Sequence, residues 1–403
     1  MNRLKLLFQL ICLSALCQMP VVRASTALRE MRNLQQQRNV CVLVTDAEPD
    51  DMLAILLLLM SGNYKAKCGN GVKIALVWQN DEKRNLLILL FNMARKEEPE
   101  IFNGATSVKN DKDNPFDTVE TDASKALYDI LIEENTRFHI LIIAPCRDLT
   151  IAVEHVARSH PNALNNIHEI YWAGGWDPNH YKTSYNLYRD IGYSIRLLQI
   201  HGLSGKISIS SKQVSVYRGS MGSNKFPQLI DKLVEFRHNT FIDKLLTFQY
   251  LWDTTLLRSM SQEAVQDVLK IMETGTQFCP ADILAAMIMF NTTLIKKTEN
   301  ITYKLIELPK EDAAVWPTVL AMPIPAPQNF PKKVPKKSTD HGPFTSKVIW
   351  EINDSERNEG ADPKSDELSE FKKTVMMLLE NFLNSQSLSR ALRNRTIFST
   401  ISR

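Results

Sequence analysis

Short, continuous apolar runs alternate along the first half of the chain with longer stretches whose apolar residues recur at helical spacing. Continuous runs are typical of strands buried on both faces, and the amphipathic stretches between them are typical of crossover helices. The predicted strands are Val40–Val44, Val72–Trp78, Ile140–Ala144, Ile167–Ala173 and Lys206–Ser210. The predicted helices are Asp50–Met60, Lys83–Lys96, Thr121–Glu134 and Leu149–His160. The pattern therefore predicts an α/β fold with a mostly parallel central sheet and helices on both faces.

The second half of the chain is rich in predicted helices. They are Pro227–His238, Thr240–Ser259, Gln262–Thr274, Ala281–Asn291 and Asp366–Asn384. Two short strands are also expected, Tyr303–Leu308 and Val348–Ile352, the second at an edge of the sheet. Between them, residues 323–345 are rich in Pro and Lys and poor in apolar side chains, which predicts an exposed loop.

The N-terminus has the pattern of a secretory signal. Arg3 and Lys5 precede an apolar segment, and small residues before Ser25 suit cleavage after Ala24. The apolar run is shorter than the roughly 20 residues that a membrane span requires. We therefore expect residues 1–24 to be a signal peptide, and the protein to be secreted or periplasmic with no membrane anchor. Residues 25–385 then form one domain, and residues 386–403 form a basic C-terminal tail.

Composition narrows the class of protein without identifying it. The chain is 44% hydrophobic and 23% charged, with a formal net charge of +3, which is ordinary for a globular protein. Because that charge is small and the basic residues are scattered, the sequence does not indicate a nucleic-acid partner. It contains no CxxC, HExxH or P-loop motif.

Four cysteines remain after removal of the signal, Cys41, Cys68, Cys146 and Cys279. An exported protein could join them in two disulfides, but Cys41 lies in a predicted buried strand, so free core cysteines are an equal alternative. Asn-x-Ser/Thr sequons begin at Asn291, Asn300, Asn353 and Asn394, and they matter only in a host that glycosylates its exported proteins.

Acidic residues interrupt the apolar pattern between the first strand and the first helix. If Pro49 occupies the first helical position, Asp50 and Asp51 lie in the first turn, where they would complement the helix dipole. The dipole does not explain Asp46 and Glu48. Carboxylates at the carboxyl end of a central parallel strand repel one another unless they share a cation or take up protons. Oxygen ligands favour Ca²⁺ before Mg²⁺, so we prefer a metal site to a helix cap.

The same stretch resembles the D-T-D-P-G-x-D-D motif of the inosine-uridine nucleoside hydrolase family, in a divergent form that reads E-P-D-D at its end. Three later stretches resemble family motifs in the same order: HILIIAPCRDL at residues 139–149, EIYWAGG with YNLYRD at 169–175 and 185–190, and PADILA at 280–285. The resemblance covers roughly residues 39–384. It implies a nucleoside-hydrolase-like fold with a helix-rich second half, and cleavage of the N-glycosidic bond of a nucleoside or related riboside.

The resemblance also implies a Ca²⁺ site and a catalytic base. Carried over position by position, the metal ligands are Asp46, Asp51, Asp282 and the backbone carbonyl of Ile143. Asp46 is also the implied base for the water that attacks the anomeric carbon, which suits an oxocarbenium-like transition state.

The implied substrate contacts follow from the same comparison. Asp50 and Asn186 would hold the ribose hydroxyls, and Ser184 stands where many members have a ribose-binding Glu. Glu48 is placed to substitute in part for the family's first Asp. Trp176 is the better candidate for stacking on a base, although core packing is the common role of such a residue.

The chain departs from the family at several positions. Val44 replaces the first Asp of the motif, and Ala281 replaces the His that helps to protonate the leaving base. Glu48 replaces a Gly, so we expect a loop of different shape, because Gly tolerates positive φ and Glu does not. Two functions follow: an exported Ca²⁺-dependent N-ribosyl hydrolase, or a non-catalytic protein that binds a riboside or nucleotide sugar. The sequence leaves a homo-oligomer open.

Overall fold

The structure is a computed structural model that describes residues 37–105, 120–176, 181, 183–210, 227–247, 280–308, 319–328, 330, 338–352 and 371–385. The predicted signal peptide, the C-terminal tail and the predicted helix Gln262–Thr274 lie outside the described residues. Cys279 and the sequons at Asn353 and Asn394 lie outside them as well.

A nine-stranded sheet forms the centre of the molecule, in the order β3-β2-β1-β4-β5-β6-β9-β7-β8. The strands are β1 (Arg38–Thr45), β2 (Val72–Leu76), β3 (Glu100–Asn103), β4 (Thr136–Ile142), β5 (Ile167–Trp172), β6 (Ile207–Ser210), β7 (Ile295–Glu307), β8 (Val319–Pro323) and β9 (Thr339–Ile352). Neighbours from β3 to β9 are parallel, whereas β7 is antiparallel to both β9 and β8. The predicted α/β class with a mostly parallel sheet is confirmed.

Helices cover both faces of this sheet. They are α1 (Pro49–Met60), α2 (Tyr64–Cys68), α3 (Asp81–Met93), α4 (Asp122–Leu131), α5 (Arg147–Ser159), α6 (Tyr185–Tyr188), α7 (Ile191–Gln199), α8 (Pro227–Glu235), α9 (240–247), α10 (Pro280–Phe290) and α11 (371–385). One core contains α1, α3, α10 and α11, and the other contains α4, α5 and α7. Within the described ranges, no helix has both the length and the apolar character needed to cross a membrane.

Strand β1 lies in the middle of the sheet and is buried from both sides. Cys41 and Leu43 belong to the first core, and Val40, Val42 and Val44 belong to the second. Successive side chains of a strand point to opposite faces, so a strand between two helical layers must be apolar at every position. The continuous apolar run of the sequence reflects this double burial.

The order of the strands locates a crevice at the carboxyl ends of β1 and β4. From β1 the chain continues to β2 and β3 on one side, and then crosses to β4, β5 and β6 on the other. Ligands of open α/β sheets bind at such a reversal, outside the carboxyl ends of the two strands. Here Thr45 ends β1, and Ile143 follows β4 with its N–H donating to the Val44 carbonyl at 2.9 Å. The acidic stretch therefore begins at this crevice.

The last third of the sheet differs from the prediction. The expected edge strand Val348–Ile352 is part of β9, which begins at Thr339 and pairs with both β6 and β7. Residues 339–345 are therefore strand and not part of an exposed loop. The described edges of the sheet are β3 and β8, which the hydrophobic pattern did not indicate.

One disulfide links the central strand to helix α2. Cys41 and Cys68 are bonded with their Cα atoms 4.9 Å apart, and both side chains are buried. Cys146 is a free, buried thiol. The two alternatives left open by the sequence therefore both occur, because one pair is bridged and another cysteine is a free core residue.

Candidate functional site

Two helix N-termini bring three aspartates together at the crevice. Asp50 and Asp51 lie in the first turn of α1, and Asp282 lies in the first turn of α10. One carboxylate oxygen from each of the three lies within 4.8 Å of the others. The positive ends of two helix dipoles offset part of the repulsion among these acids. A helix cap alone does not explain why acids so distant in sequence meet at one point.

The turn between β1 and α1 holds Asp51 in place. Oδ2 of Asp51 accepts hydrogen bonds from the Thr45 hydroxyl at 2.6 Å, from Asp46 N at 3.0 Å and from Ala47 N at 3.1 Å. Pro49 begins the helix, as predicted. Ala47 has a φ of 52°, whereas Glu48 is extended with a φ of −73°. The left-handed position thus falls on Ala47, and Glu48 avoids the strained conformation.

Hydrogen bonds connect three of the predicted site residues, Ile143, Asn186 and Asp282, at the crevice. The Asn186 side-chain amide donates to the Ile143 carbonyl at 2.8 Å and to Asp282 Oδ1 at 3.2 Å. One carboxylate oxygen of Asp50 also lies within 4.8 Å of a carboxylate oxygen of Asp282. The segments after β1 and β4, helix α6 and the start of α10 therefore contribute to one polar cluster.

Burial and mutual repulsion raise the pKa values of the acids at the start of α1. Removal from water raises the pKa of Asp46, Glu48 and Asp51, and it raises the pKa of Asp50 to about 6. Repulsion from Asp46 adds to the rise for the other three. Lys83 donates to the Asp46 carbonyl at 2.6 Å, and its charge opposes the rise for Asp46 and Glu48. One ammonium does not balance this many carboxylates, so the cluster requires protons or a further cation.

The oxygen cluster fits a hard divalent cation. Ca²⁺–oxygen distances of about 2.3–2.6 Å place opposite ligands about 5 Å apart, and the three oxygens all lie within 4.8 Å of one another. The three carboxylates in this group are Asp50, Asp51 and Asp282, while the backbone N–H of Asp46 donates to Asp51 Oδ2 at 3.0 Å. The sequence placed Asp46 among the ligands and Asp50 on the ribose, so the structure groups these two acids differently. Both predicted roles stay predictions.

Two of the predicted substrate contacts are engaged within the protein. The Trp176 side chain is fully buried and contacts Tyr303, with ring centroids 4.7 Å apart. A buried ring offers no free face to a base in this arrangement. Ser184 Oγ donates to the Ala173 carbonyl at 3.1 Å.

A partly exposed tryptophan, Trp78, follows the strand that pairs with β1. Trp78 follows β2, and its neighbour Val77 donates to the Thr45 carbonyl at 2.8 Å. Its φ of 47° is rare for a bulky residue, and its ring contacts Tyr185 at 6.3 Å and the Arg189 guanidinium at 5.7 Å. The charges of Glu48 and Asp46 contribute to a raised pKa of Tyr185, after burial.

We call Trp78, Tyr185 and Tyr188 the aromatic rim of the site, because the two tyrosine rings are also in contact, 5.5 Å apart. The sequence reasoning missed Trp78. The signal that could have found it is its position directly after the strand next to β1, at the edge where open α/β sheets bind ligands.

Comparison with known proteins gives structural neighbours but no family assignment. No protein-family model matches the chain, and no curated protein matches it. Among solved structures, an inosine-guanosine nucleoside hydrolase is 14% identical, with coverage of 85% of this chain and 99% of that chain and a TM-score of 0.49.

Two further solved structures match at similar levels. The inosine-uridine preferring nucleoside hydrolase from Bacillus anthracis is 13% identical, with coverage of 85% and 100% and a TM-score of 0.48. The type III effector protein XopQ, complexed with adenosine diphosphate ribose, is 11% identical, with coverage of 92% and 99% and a TM-score of 0.49. Likeness at this level does not assign a family or an activity, and the α/β class of the chain rests on its own nine-stranded sheet.

Proposed function

We propose that this protein is an exported, Ca²⁺-dependent hydrolase of the N-glycosidic bond of a nucleoside or related riboside, and a divergent member of the inosine-uridine nucleoside hydrolase family. The observation that carries the proposal is the meeting of Asp50, Asp51 and Asp282, from two helices far apart in sequence, at the crevice between β1 and β4. The motif resemblance supports it, because those acids fall in matching stretches.

The residues that would hold the cation are Asp50, Asp51 and Asp282, together with the backbone carbonyl of Ile143. Bound Ca²⁺ supplies positive charge for the ribose hydroxyls and for a water whose pKa it lowers. The Asn186 side-chain amide already donates to both Ile143 and Asp282, so its Oδ1 would accept a hydrogen bond from a ribose hydroxyl beside the cation site. Asp50 would accept from the neighbouring hydroxyl.

Asp46 would act as the base. Its side chain is buried and burial raises its pKa, which brings the proton affinity of the carboxylate closer to that required for accepting a proton from water. The surrounding carboxylates would also stabilise the positive charge that develops on the sugar ring as the leaving nucleobase departs. Lys83 fixes the backbone of Asp46 by its hydrogen bond to the carbonyl.

The alternative is a protein that binds a riboside or nucleotide sugar without turnover. The observation that favours it is Ala281, directly before Asp282, at the position where the family motif has a leaving-group acid. Loss of general acid catalysis typically costs about 10²–10⁴ in rate. Ligand binding at the cation would survive this loss.

The test is an assay of the mature protein with Ca²⁺ and a panel of ribosides for release of free ribose and base. We expect turnover that a chelator stops and that Asp46→Asn abolishes, because the amide keeps the shape but loses the proton acceptor. Asp129→Asn, which changes an exposed acid of α4, is the matched control and should behave as wild type. Saturable Ca²⁺-dependent binding without ribose release would support the alternative. Turnover insensitive to chelator and to Asp46→Asn would contradict both.

A further inference from the structure

The C-terminal end of α10 carries an Asn-Thr-Thr sequon that the proposed function does not use. Helix α10 has 11 residues, so Asn291 lies about 16 Å along the helix axis from its start, at the opposite end from Asp282. Asn291 is partly exposed, and Thr292 and Thr293 are exposed in the 3₁₀ turn that follows. The sequon therefore lies on a surface loop remote from the acidic cluster.

The turn orients the side-chain amide of Asn291. Its Oδ1 accepts hydrogen bonds from the Thr293 hydroxyl at 2.5 Å and from Thr293 N at 3.3 Å. In the described part of the chain, no group accepts a hydrogen bond from Asn291 Nδ2, and this atom is not among the buried unpaired ones. The nitrogen to which a glycan would be attached therefore makes no hydrogen bond within the described residues.

A cavity of about 220 Å³ opens beside this side chain. It lies between the C-terminal ends of α1 and α10 and helix α11, and Asn291 is one of its lining residues. Leu57, Met287 and Met377 give it an apolar wall, and Thr374 adds a hydroxyl. The Met377 side chain is 52% exposed, so the apolar wall continues to the solvent.

The disulfide indicates a compartment in which such a sequon can be used. Cys41 and Cys68 are bonded, and structural disulfides persist in oxidising compartments such as the secretory lumen. Attachment of glycans to Asn-x-Ser/Thr belongs to the same route in glycosylating hosts. The Cys41–Cys68 disulfide and the sequon therefore both agree with the secretory signal pattern at the N-terminus.

We propose that Asn291 is an N-glycosylation site and that the first sugar of its glycan covers the mouth of this cavity. In the transfer, Asn291 Nδ2 forms a bond to the anomeric carbon of an oligosaccharide carried on a lipid pyrophosphate. The bond from that carbon to the pyrophosphate oxygen breaks, the lipid pyrophosphate leaves with the electron pair, and the amide loses one proton. The proposal depends on export of the chain and not on its activity as a hydrolase.

The sequon at Asn300 provides an internal control. Asn300 is exposed within strand β7 and pairs with Lys347 of β9. Its third residue, Thr302, contacts the Thr345 hydroxyl at 3.0 Å across the strands. Asn300 is not among the residues that line the cavity. A glycan there would leave the mouth of the cavity open.

The experiment expresses the full chain in cultured animal cells and maps glycans on the purified protein by mass spectrometry, before and after enzymatic removal of N-glycans. We expect a glycan on Asn291. Thr293→Ser should keep it, whereas Thr293→Val and Asn291→Gln should lose it, because the sequon requires a hydroxyl at its third position. An unmodified Asn291, whether the protein is secreted or retained in the cytosol, overturns the proposal.

The second readout tests coverage of the cavity. Enzymatic removal of glycans from the folded protein should raise the binding of a fluorescent apolar dye about two-fold or more, and Asn291→Gln should show the same rise. Asn300→Gln should bind the dye as wild type does. If deglycosylation leaves dye binding unchanged on a protein that carries the Asn291 glycan, the sugar does not cover the cavity. The enzymatic arm keeps the test valid if a variant fails to fold.

Discussion

The hydroxyl of Thr45 determines how Asp51 faces the crevice. It donates at 2.6 Å to the oxygen that also accepts from two backbone N–H groups of the turn. Thr45→Val keeps the side-chain shape and removes this donor, so we expect Ca²⁺ affinity to fall by about 10-fold, as for other groups that orient a metal ligand. Titration calorimetry of the metal-free protein measures this change.

The matched control at this position is Thr45→Ser, which retains a hydroxyl. It should bind Ca²⁺ within about two-fold of wild type under the same conditions, because the donor is preserved. Equal affinity for Thr45→Val and Thr45→Ser would mean that the backbone donors alone orient Asp51.

His139 predicts a dependence of stability on pH that is separate from the acidic cluster. Burial lowers the pKa of His139 to about 3, with help from the charges of Lys67, His168 and Arg137 and against that of Glu169. Between about pH 6.5 and pH 3, His139 binds a proton in the unfolded chain but not in the folded protein. Stability should therefore be unaffected by this group above pH 6.5 and should fall as the pH drops below it.

The measurement is urea unfolding of wild type and His139→Gln at pH 7 and pH 5. We expect wild type to lose about 1–2 kcal/mol more free energy of unfolding between these pH values than the variant does. The difference between the two proteins removes the contribution of the carboxylates, which both share. Parallel pH profiles would mean that His139 titrates normally in the folded state.

At the scale of elements, the accuracy of the prediction follows burial. Strand β1 and its parallel neighbours were predicted because continuous apolar residues are required between two helical layers. Strand β3 was missed because Glu100–Asn103 is short and half of its pattern is partly exposed. Strand β9 was predicted only at its end, because its first residues, Thr339 to Gly342, are polar or small and gain their structure from pairing with β7. Tertiary pairing of this kind leaves little trace in the local pattern.

The disulfide between β1 and α2 should contribute substantially to stability. It closes a loop with a sequence separation of 27, for which the chain-entropy relation gives about 3–4 kcal/mol. We therefore expect the double variant Cys41→Ala, Cys68→Ala to lose about this much free energy of unfolding in urea. Addition of a reductant should destabilise wild type and leave the variant unchanged, and an equal response of both proteins would contradict the prediction.

At the scale of the whole molecule, the candidate site joins four segments that only the folded sheet brings together. The sequence alone could identify Asp46 to Asp51, because the acids are clustered next to an apolar strand. Asp282, Ile143 and Asn186 could be proposed only from the resemblance, since no local pattern marks a carbonyl or a distant carboxylate as a ligand. Trp78 could be identified only by adding the order of the strands to the sequence, because its position at the crevice depends on the pairing of β2 with β1.

Because the cluster exists only in the folded protein, Ca²⁺ should stabilise the whole molecule. At a concentration of about 100 times Kd, binding to the native state alone raises the free energy of unfolding by about 2.7 kcal/mol. We expect this increase for wild type in thermal or urea unfolding with Ca²⁺ against chelator. Asp282→Asn should abolish it, because the amide retains an acceptor for Asn186 but removes one of the three charged ligands.

In chelator, the Asp282→Asn variant should be at least as stable as wild type, since it relieves repulsion among buried carboxylates. Asp129→Asn should respond to Ca²⁺ as wild type does, and a Ca²⁺ response that survives in Asp282→Asn would place the cation elsewhere.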